Sequence, residues 1–313
     1  MRILITGGAG FIGSNLTERL LNEGYSVISV DNFLLGKPEY IEQFRENPKF
    51  EFKETDLSDS KIAIPVFKGV DAVFHLSANS DIQEGTMHTD KDLNIGTIVT
   101  YNVLEAMRLN GVKNIIFAST SAVYGIAEQA PTKEDYGPLF PISLYGASKL
   151  ACEGLISAFC HNFGMRAWIF RFANVIGKNP THGIIFDLIK KLKNNRHEIE
   201  VLGDGKQSKP YLLVSDVVDG ALFGFLNSKN EINFFNLACE GASTVEFIVS
   251  TLLKKLKMEK TKIIYTGGNQ GWKGDVPNVR LSVEKMRELG WSAQLTSDEA
   301  VSKGIEEIIT QIW

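Results

Sequence analysis

The chain opens on an apolar strand, Arg2-Ile3-Leu4-Ile5-Thr6, that runs straight into Gly7-Gly8-Ala9-Gly10-Phe11-Ile12-Gly13. No other stretch restricts the fold so strongly. Gly7 and Gly8 allow a tight turn out of the strand, Gly10 lets the backbone come close to a pyrophosphate, and Gly13 lets the following helix sit near the sheet. That helix is marked by apolar residues at Ile12, Leu16, Leu20 and Leu21. Its N-terminus, with unpaired N–H groups and the positive end of the helix dipole, favours an anion. A second apolar strand, Tyr25-Ser26-Val27-Ile28-Ser29-Val30, ends on Asp31, about twenty residues on, where a carboxylate accepts hydrogen bonds from an adenosine ribose. Strand, turn, helix and strand-end acid together predict a dinucleotide site. A carboxylate at position 31 repels a 2′-phosphate, and Asn32-Phe33-Leu34-Leu35-Gly36 carries no arginine to neutralise one, so the expected cofactor is NAD. Lys37, the single nearby cation, reads as a solvated surface charge.

Further apolar strands alternate with helices along the first half. Phe50-Glu51-Phe52-Lys53-Glu54-Thr55-Asp56 reads as a third strand, Asp71-Ala72-Val73-Phe74-His75-Leu76 as a fourth, Asn114-Ile115-Ile116-Phe117-Ala118-Ser119 as a fifth and Ala167-Trp168-Ile169-Phe170-Arg171-Phe172 as a sixth. Helices are expected over residues 92–109 and 143–162. Continuous apolar strands joined by helices imply an α/β fold, a Rossmann-type doubly wound parallel sheet covered on both faces. Ligands of such sheets bind beyond the carboxyl ends of the strands, which makes Asp31, Asp56, Leu57, Ser77, Ala78, Asn79, Ser119, Thr120, Ser121 and Asn174 candidates. After Asn174 the rhythm becomes irregular, with a loop at 177–183, a helix to about 194, and a glycine-rich loop at 266–277. Residues 1–173 are therefore read as the NAD-binding domain, with a segment near 210–240 returning to it. Residues 174–313 are read mainly as a smaller, partly interleaved substrate-binding domain.

The 313 residues are 44% hydrophobic and 22% charged, enough for one large or two unequal globular domains. A formal net charge of −4 gives no basic footprint for nucleic acid, and no apolar run approaches the ~20 residues that span a bilayer. With the first strand starting at residue 2, a leader peptide has no room, and the expected location is cytoplasmic. Of the three cysteines, Cys152 and Cys160 share a helix face and read as small apolar packing. His75 lies inside an apolar strand, the place of a core histidine, and no metal site is expected. The helix over 92–109 carries Leu93, Ile95, Ile98, Val99, Val103, Leu104 and Met107 around more than one face. A helix so patterned is wholly buried or packs on another subunit, and a homodimer through 92–109 and 143–162 is expected.

Tyr145-Gly146-Ala147-Ser148-Lys149 puts a tyrosine and a lysine one turn apart on the same helix face. A phenol titrates near ~10, too high for a base at neutral pH, but an adjacent ammonium and a cationic nicotinamide both favour the phenolate. A Tyr145 phenolate can take a hydroxyl proton while hydride leaves the same carbon, and Lys149 can also hold the nicotinamide ribose. The fifth strand ends in Ser119-Thr120-Ser121, hydroxyls within reach of the same substrate oxygen.

With these residues in place, the chain resembles the extended short-chain dehydrogenase/reductase family, and within it the nucleotide-sugar epimerases of the UDP-glucose 4-epimerase type. The resemblance rests on Thr6 to Gly13, Asp31-Asn32, Asp56-Leu57, His75-Leu76-Ser77-Ala78, Asn94, Ser119 to Gly125, Tyr145 to Lys149, Arg171 to Gly177, Val214-Ser215-Asp216-Val217 and Gly274-Asp275-Val276, which follow in family order. It implies Thr120 as the catalytic hydroxyl, Tyr145 as the base and Lys149 as its partner. Asp56 and Leu57 would flank adenine, Leu76, Ser77 and Ala78 line the dinucleotide, and Asn94 lie behind the nicotinamide. Gly7, Gly10, Phe11, Ile12, Gly13, Asn32, Ser119, Phe172 and Val175 complete the expected cofactor contacts. The sugar nucleotide would meet Asn79, Thr120, Ser121, Tyr145, Asn174, Thr181, His182, Lys209 and Asp275.

The resemblance also separates reactions. Family dehydratases have Thr-Asp-Glu where this chain has Thr120-Ser121-Ala122, and decarboxylases keep a glutamate where Ala122 stands. An NAD-dependent epimerase inverting C4 of a UDP-hexose through a 4-keto sugar is the implied activity. A UDP-glucuronate 4-epimerase and an NAD-dependent sugar-nucleotide dehydrogenase or reductase are the alternatives. The chain departs from the pattern where Lys209 replaces an arginine and where Trp272 replaces the late diphosphate arginine. Lys209 supplies charge without a bidentate fork, while Trp272 either stacks on a base or packs.

Overall fold

A computed structural model describes residues 1–313. The first six strands are β1 (Arg2–Thr6), β2 (Ser26–Asp31), β3 (Phe50–Glu54), β4 (Ala72–His75), β5 (Asn114–Thr120) and β6 (Arg166–Phe172). Six shorter or later ones follow in β7 (Asn174–Ile176), β8 (Glu198–Val201), β9 (Ser208–Lys209), β10 (Tyr211–Leu213), β11 (Ile232–Leu237) and β12 (Ser243–Thr244), and the last is β13 (Lys262–Tyr265). Seven of them form one parallel sheet in the order β11-β6-β5-β4-β1-β2-β3. This is the Rossmann-type arrangement, with the strand order reversing between β1 and β4. All seven carboxyl ends therefore share one edge, where β1, β4, β5 and β6 deliver their polar termini.

Helices cover both faces because the strands are apolar on both. They are α1 (Phe11–Asn22), α2 (Ser60–Ala63), α3 (Ile82–Met87), α4 (Val99–Leu109), α5 (Leu144–Phe163), α6 (Ile184–Asn194), α7 (Val214–Asn227), α8 (Val245–Lys255), α9 (Glu284–Leu289) and α10 (Ser297–Ile312). The two-residue period of the strands sorts their side chains between two cores. Ile3, Ile5, Phe74, Ile116, Trp168 and Phe170 pack with Leu16 and Leu20 of α1 and Val217 and Ala221 of α7. Leu4, Val73, Ile115, Phe117, Ala167 and Ile169 face the other way, onto Val103, Leu104 and Met107 of α4 and Cys152, Ile156 and Cys160 of α5. A third core joins α6, α8 and α10 around Ile189, Ile248, Leu252, Val301 and Ile305, with β8 and β13 paired in parallel.

Boundaries shift from the sequence reading for local reasons. β3 stops at Glu54, level with Asp31 at the end of β2, and the chain then turns at Asp56, whose carboxylate accepts from Ser58 N at 2.9 Å. The helix expected over 92–109 begins as a π-helical segment, Asp92–Ile98, before continuing as α4. Within it the Asp92 carbonyl accepts from Ser148 Oγ at 2.8 Å and the Gly96 carbonyl from Thr100 Oγ1 at 2.8 Å. Such segments recur at functional sites. Its residues Leu93 and Ile98 are exposed, as are Tyr101 and Leu109 of α4 and Phe163 at the end of α5.

Candidate active site

The glycine turn is shaped by close contact. Gly7 has φ +69, and a Cβ on Gly13 would lie 2.7 Å from Gly8 Cα, so the start of α1 can approach β1 only without a side chain. Gly10 caps α1 without a side-chain bond, leaving the first N–H groups for another acceptor. Asp31 accepts from Ala9 N at 3.0 Å and Phe33 N at 2.9 Å. Burial raises its carboxyl above the usual range, against the pull of those N–H groups.

A cleft of about 430 Å³ extends from this turn along the sheet edge. Gly7, Gly10, Phe11, Ile12, Gly13, Asp31, Asn32, Asp56 and Leu57 line one part of it, and Leu76, Ser77, Ala78, Asn94, Ser119, Tyr145, Lys149 and Phe172 line the rest. Its size falls within the ordinary range of ligand sites. The uncapped helix start and the bare glycine surface fit a dinucleotide pyrophosphate. Asp56 is held below the usual carboxylate range by the backbone and side chain of Ser58, with Asn32 adding to it. Leu34, Leu35, Gly36, Thr55, Ser58, Ser80, Ile95 and Val99 also border the cleft and escaped the sequence reading. Adjacency to Asp31, Asp56 and Asn94 was the available signal. Val175 is placed elsewhere, half-buried beside Leu212 in the register of β7 with β10.

At the other end, Ser143 caps α5 by accepting from Gly146 N, which fixes the first turn carrying Tyr145. Thr120 ends β5, its Oγ1 accepting from Ala122 N at 3.2 Å, and Ser121 opens the 3-10 turn that follows. Beneath them, Ser119 Oγ donates to Glu153, and Glu153 is paired with buried Arg171 at 2.7 Å. The Arg171 guanidinium continues to the Glu134 carbonyl at 2.9 Å, so the end of β5 rests on a satisfied polar network.

Lys149 is 3% exposed, donates from Nζ to the Ala118 carbonyl at 2.7 Å and lies 5.8 Å from the Tyr145 ring centre. Without the nicotinamide, the surroundings of the phenol oppose its ionisation. Burial pushes Tyr145 up to about 12, although a hydrogen bond with Thr120 pulls it back, and Asp92 adds to the rise. Burial also brings Lys149 down to about 8. The Lys149 ammonium faces the ring and a carbonyl. The nicotinamide charge is the remaining source of phenolate stabilisation named by the sequence argument.

The residues expected at the sugar nucleotide do not all converge. Asn79 is 1% exposed and turned inward, donating to the Asp81 carbonyl at 3.0 Å and to Asp92 at 3.1 Å. Its amide serves the buried Asp92 carboxylate and is not presented to the cleft, a correction to its expected role. Asn174, Lys209 and Asp275 do form one cluster. Asn174 N donates to the Pro210 carbonyl at 3.1 Å beside Lys209, Lys209 forms an ion pair with Asp275, and the Lys209 ammonium lies 5.4 Å from the Trp272 ring centre. The Lys209 charge is thus compensated within the protein. Thr181 and His182 border the dinucleotide cleft, with His182 Nδ1 2.9 Å from Thr181 Oγ1.

A cleft that runs from the glycine turn to Ser119, Tyr145 and the buried Lys149 defines a dinucleotide-dependent enzyme site of the short-chain dehydrogenase type. Residues 3–238 match the model of the NAD dependent epimerase/dehydratase family. The chain belongs to that family. It is 31% identical over 336 residues to UDP-glucose 4-epimerase of Streptococcus mutans, covering 100% of this chain and 96% of the relative. Among solved structures it resembles a UDP-galactose 4-epimerase, at 36% identity and a TM-score of 0.90 with complete coverage of both chains. It also resembles the UDP-glucose 4-epimerase of Thermotoga maritima with UDP-glucose, at 30% identity, a TM-score of 0.88 and the same coverage.

Proposed function

We propose that the protein is an NAD-dependent nucleotide-sugar 4-epimerase, inverting C4 of a UDP-hexose. The observation that carries this reading is the pair Tyr145 and Lys149 at the end of the cleft, with Thr120 beside Tyr145 at the close of β5 and alanine at position 122. Bound NAD supplies a hydride acceptor that becomes the donor in the second half of the reaction. The chain's own residues do the rest. Thr120 and Tyr145 bind the C4 oxygen of the sugar, Tyr145 takes its proton on oxidation, and the same group returns it on reduction. Lys149, fixed by the Ala118 carbonyl, keeps a positive charge beside this exchange. Ala122 offers neither proton nor carboxylate for elimination or decarboxylation.

Glycine-turn, strand-end and α5 residues lining the cleft are assigned to the cofactor, Asn174 to the nucleotide diphosphate, and the Lys209–Asp275 pair to the sugar-nucleotide side of the site. Under this reading residues 1–173, with the return near 210–240, hold NAD, and 174–313 mainly hold the sugar nucleotide. Exposed Leu93, Ile98, Tyr101, Leu144 and Phe163 support a homodimer packed through the π-helical segment, α4 and α5. No helix is long and apolar enough to cross a membrane, which agrees with a cytoplasmic setting.

Incubating the purified protein with UDP-glucose, UDP-galactose, UDP-glucuronate and their N-acetyl analogues tests the reaction. C4 inversion without net NADH is the expected result. Inversion of UDP-glucuronate alone would move the assignment to the acidic sugar, stoichiometric NADH would make it a dehydrogenase, and no turnover with NAD bound would defeat the proposal.

A further inference from the structure

Every residue lining the dinucleotide cleft lies within the first 172 positions except Thr181 and His182. Those two project from Lys178-Asn179-Pro180, a segment fastened on both sides. From the NAD-binding side, Tyr40 Oη donates to the Pro180 carbonyl at 2.8 Å, Asn15 Nδ2 donates to the Lys178 carbonyl at 3.1 Å, and Asn179 Nδ2 reaches Ser14 Oγ at 3.1 Å. Lys178 also forms an ion pair with Glu18. From the other side, Asn179 N donates to Gln311 Oε1 at 2.7 Å, and Gln311 Nε2 donates back to Asn179 Oδ1 at 3.0 Å. Asn179 is held at φ +64, a left-handed conformation that costs a non-glycine residue energy and persists only where its surroundings over-determine it. At the far end, His182 Nδ1 is shared between Thr181 Oγ1 at 2.9 Å and Ser80 Oγ at 3.4 Å, and Ser80 follows β4 on the opposite side.

We propose that residues 178–182 form a strap over the bound dinucleotide, fastened at Asn179 and clasped by His182 on Ser80, whose opening limits exchange of the cofactor. This deepens the proposed function and rests on it, since an epimerase turnover fails whenever the reduced cofactor escapes before hydride is returned. Thr181 and His182 are thereby reassigned from the sugar to the cofactor. The chemistry of the segment suits this role. Its polar atoms are spent on fastening, and Thr181 and His182 offer neutral donors and acceptors to ribose and phosphate groups.

The test is the exchange rate of NAD on the intact protein, followed by displacement of bound etheno-NAD with excess NAD, and by uptake of etheno-NAD after stripping. Tyr40→Phe removes the bond to Pro180 while keeping the ring in the core. Asn179→Gly removes the side-chain bonds and accepts the positive φ. His182→Ala opens the clasp. Each lost hydrogen bond is expected to raise release by about fivefold, with the Tyr40→Phe, Asn179→Gly pair roughly multiplicative. Uptake must accelerate in step, because a strap gates both directions. Release within about twofold of the parent overturns the strap, and so does faster release with unchanged uptake, which marks an ordinary weakened contact. Slow exchange quickened by these variants, in a protein that inverts no sugar, leaves the strap standing and removes the epimerase reading. C4 inversion with strap-insensitive exchange does the reverse.

Discussion

Replacing Gly13 by alanine tests whether the first turn is built for a pyrophosphate. The added methyl group would sit 2.7 Å from Gly8 Cα and 2.9 Å from the Gly7 carbonyl carbon, and nearer still to the Gly7 oxygen. Carbon atoms rest at ~3.5–4.0 Å, so the start of α1 must withdraw from the turn by about 1 Å. All three obstacles are backbone, and Gly8 is itself pressed against Ser29, so neither side yields by rotating a side chain. Overpacking of this kind costs about 1–3 kcal/mol of stability. The same displacement moves the helix N–H groups off the phosphate, and each charge-assisted bond lost is worth about 1.5–3 kcal/mol, or roughly 10- to 100-fold in NAD affinity. Calorimetric titration reads the affinity. Thermal unfolding gives an independent measure, since NAD at ~100 times its Kd stabilises by about 2.7 kcal/mol, a gain the variant should lose at the same concentration. An alanine variant that binds NAD within about threefold of the parent, with unchanged Tm, would refute the pyrophosphate role of this turn.

Tyr145→Phe should lower turnover by about 10²- to 10⁴-fold while NAD still binds; a smaller loss in steady-state assays removes Tyr145 as the base. Lys149→Met removes a buried cation and should raise Tm without NAD while abolishing turnover, and a fall in Tm would show that the lysine is structural. His75, brought down to about 3 by burial between Thr6 and Thr100, stays neutral when folded but takes up a proton near its usual value when unfolded. Its contribution is therefore present above the unfolded value and lost as pH falls towards 3. Urea titrations below pH ~6.5 should show stability falling by about 1.4 kcal/mol per pH unit from this residue, a slope that a neutral replacement removes. Ile98→Glu should give a monomer by sedimentation at micromolar concentration if the exposed helix faces pair; an unchanged dimer places the interface elsewhere.

Much of the sheet was legible because its strands satisfy two cores at once. Leu4 faces one core while Ile3 and Ile5 face the other, and a run apolar at every position has few other homes. The glycine turn and Asp31 were legible for a similar reason, since their chemistry is local to one strand–turn–helix unit. Asn79 was not, because its amide is committed to Asp92, thirteen positions away, and only the π-helical turn brings that carboxylate beneath it. Lys209 and Asp275 stand 66 positions apart, so their ion pair had no signature in spacing. The Tyr145 pair was found by its helical period, but not the surroundings of either group. Proximity in sequence says nothing of the Ala118 carbonyl that receives the Lys149 ammonium, nor of the burial that opposes ionisation of the phenol.

The place of β11 at the sheet margin bears on how the chain is made. Strand β6 pairs along its outer edge with Ile232–Leu237, a segment emerging from the ribosome some sixty residues later. Until then Trp168 and Phe170 belong to an exposed strand edge with unpaired N–H and C=O groups, the kind of template on which nascent chains stick to one another. An N-terminal fragment ending near residue 173 would carry that edge permanently. The glycine turn can form early, but the layer that holds it reaches closure only when the last parallel partner has arrived.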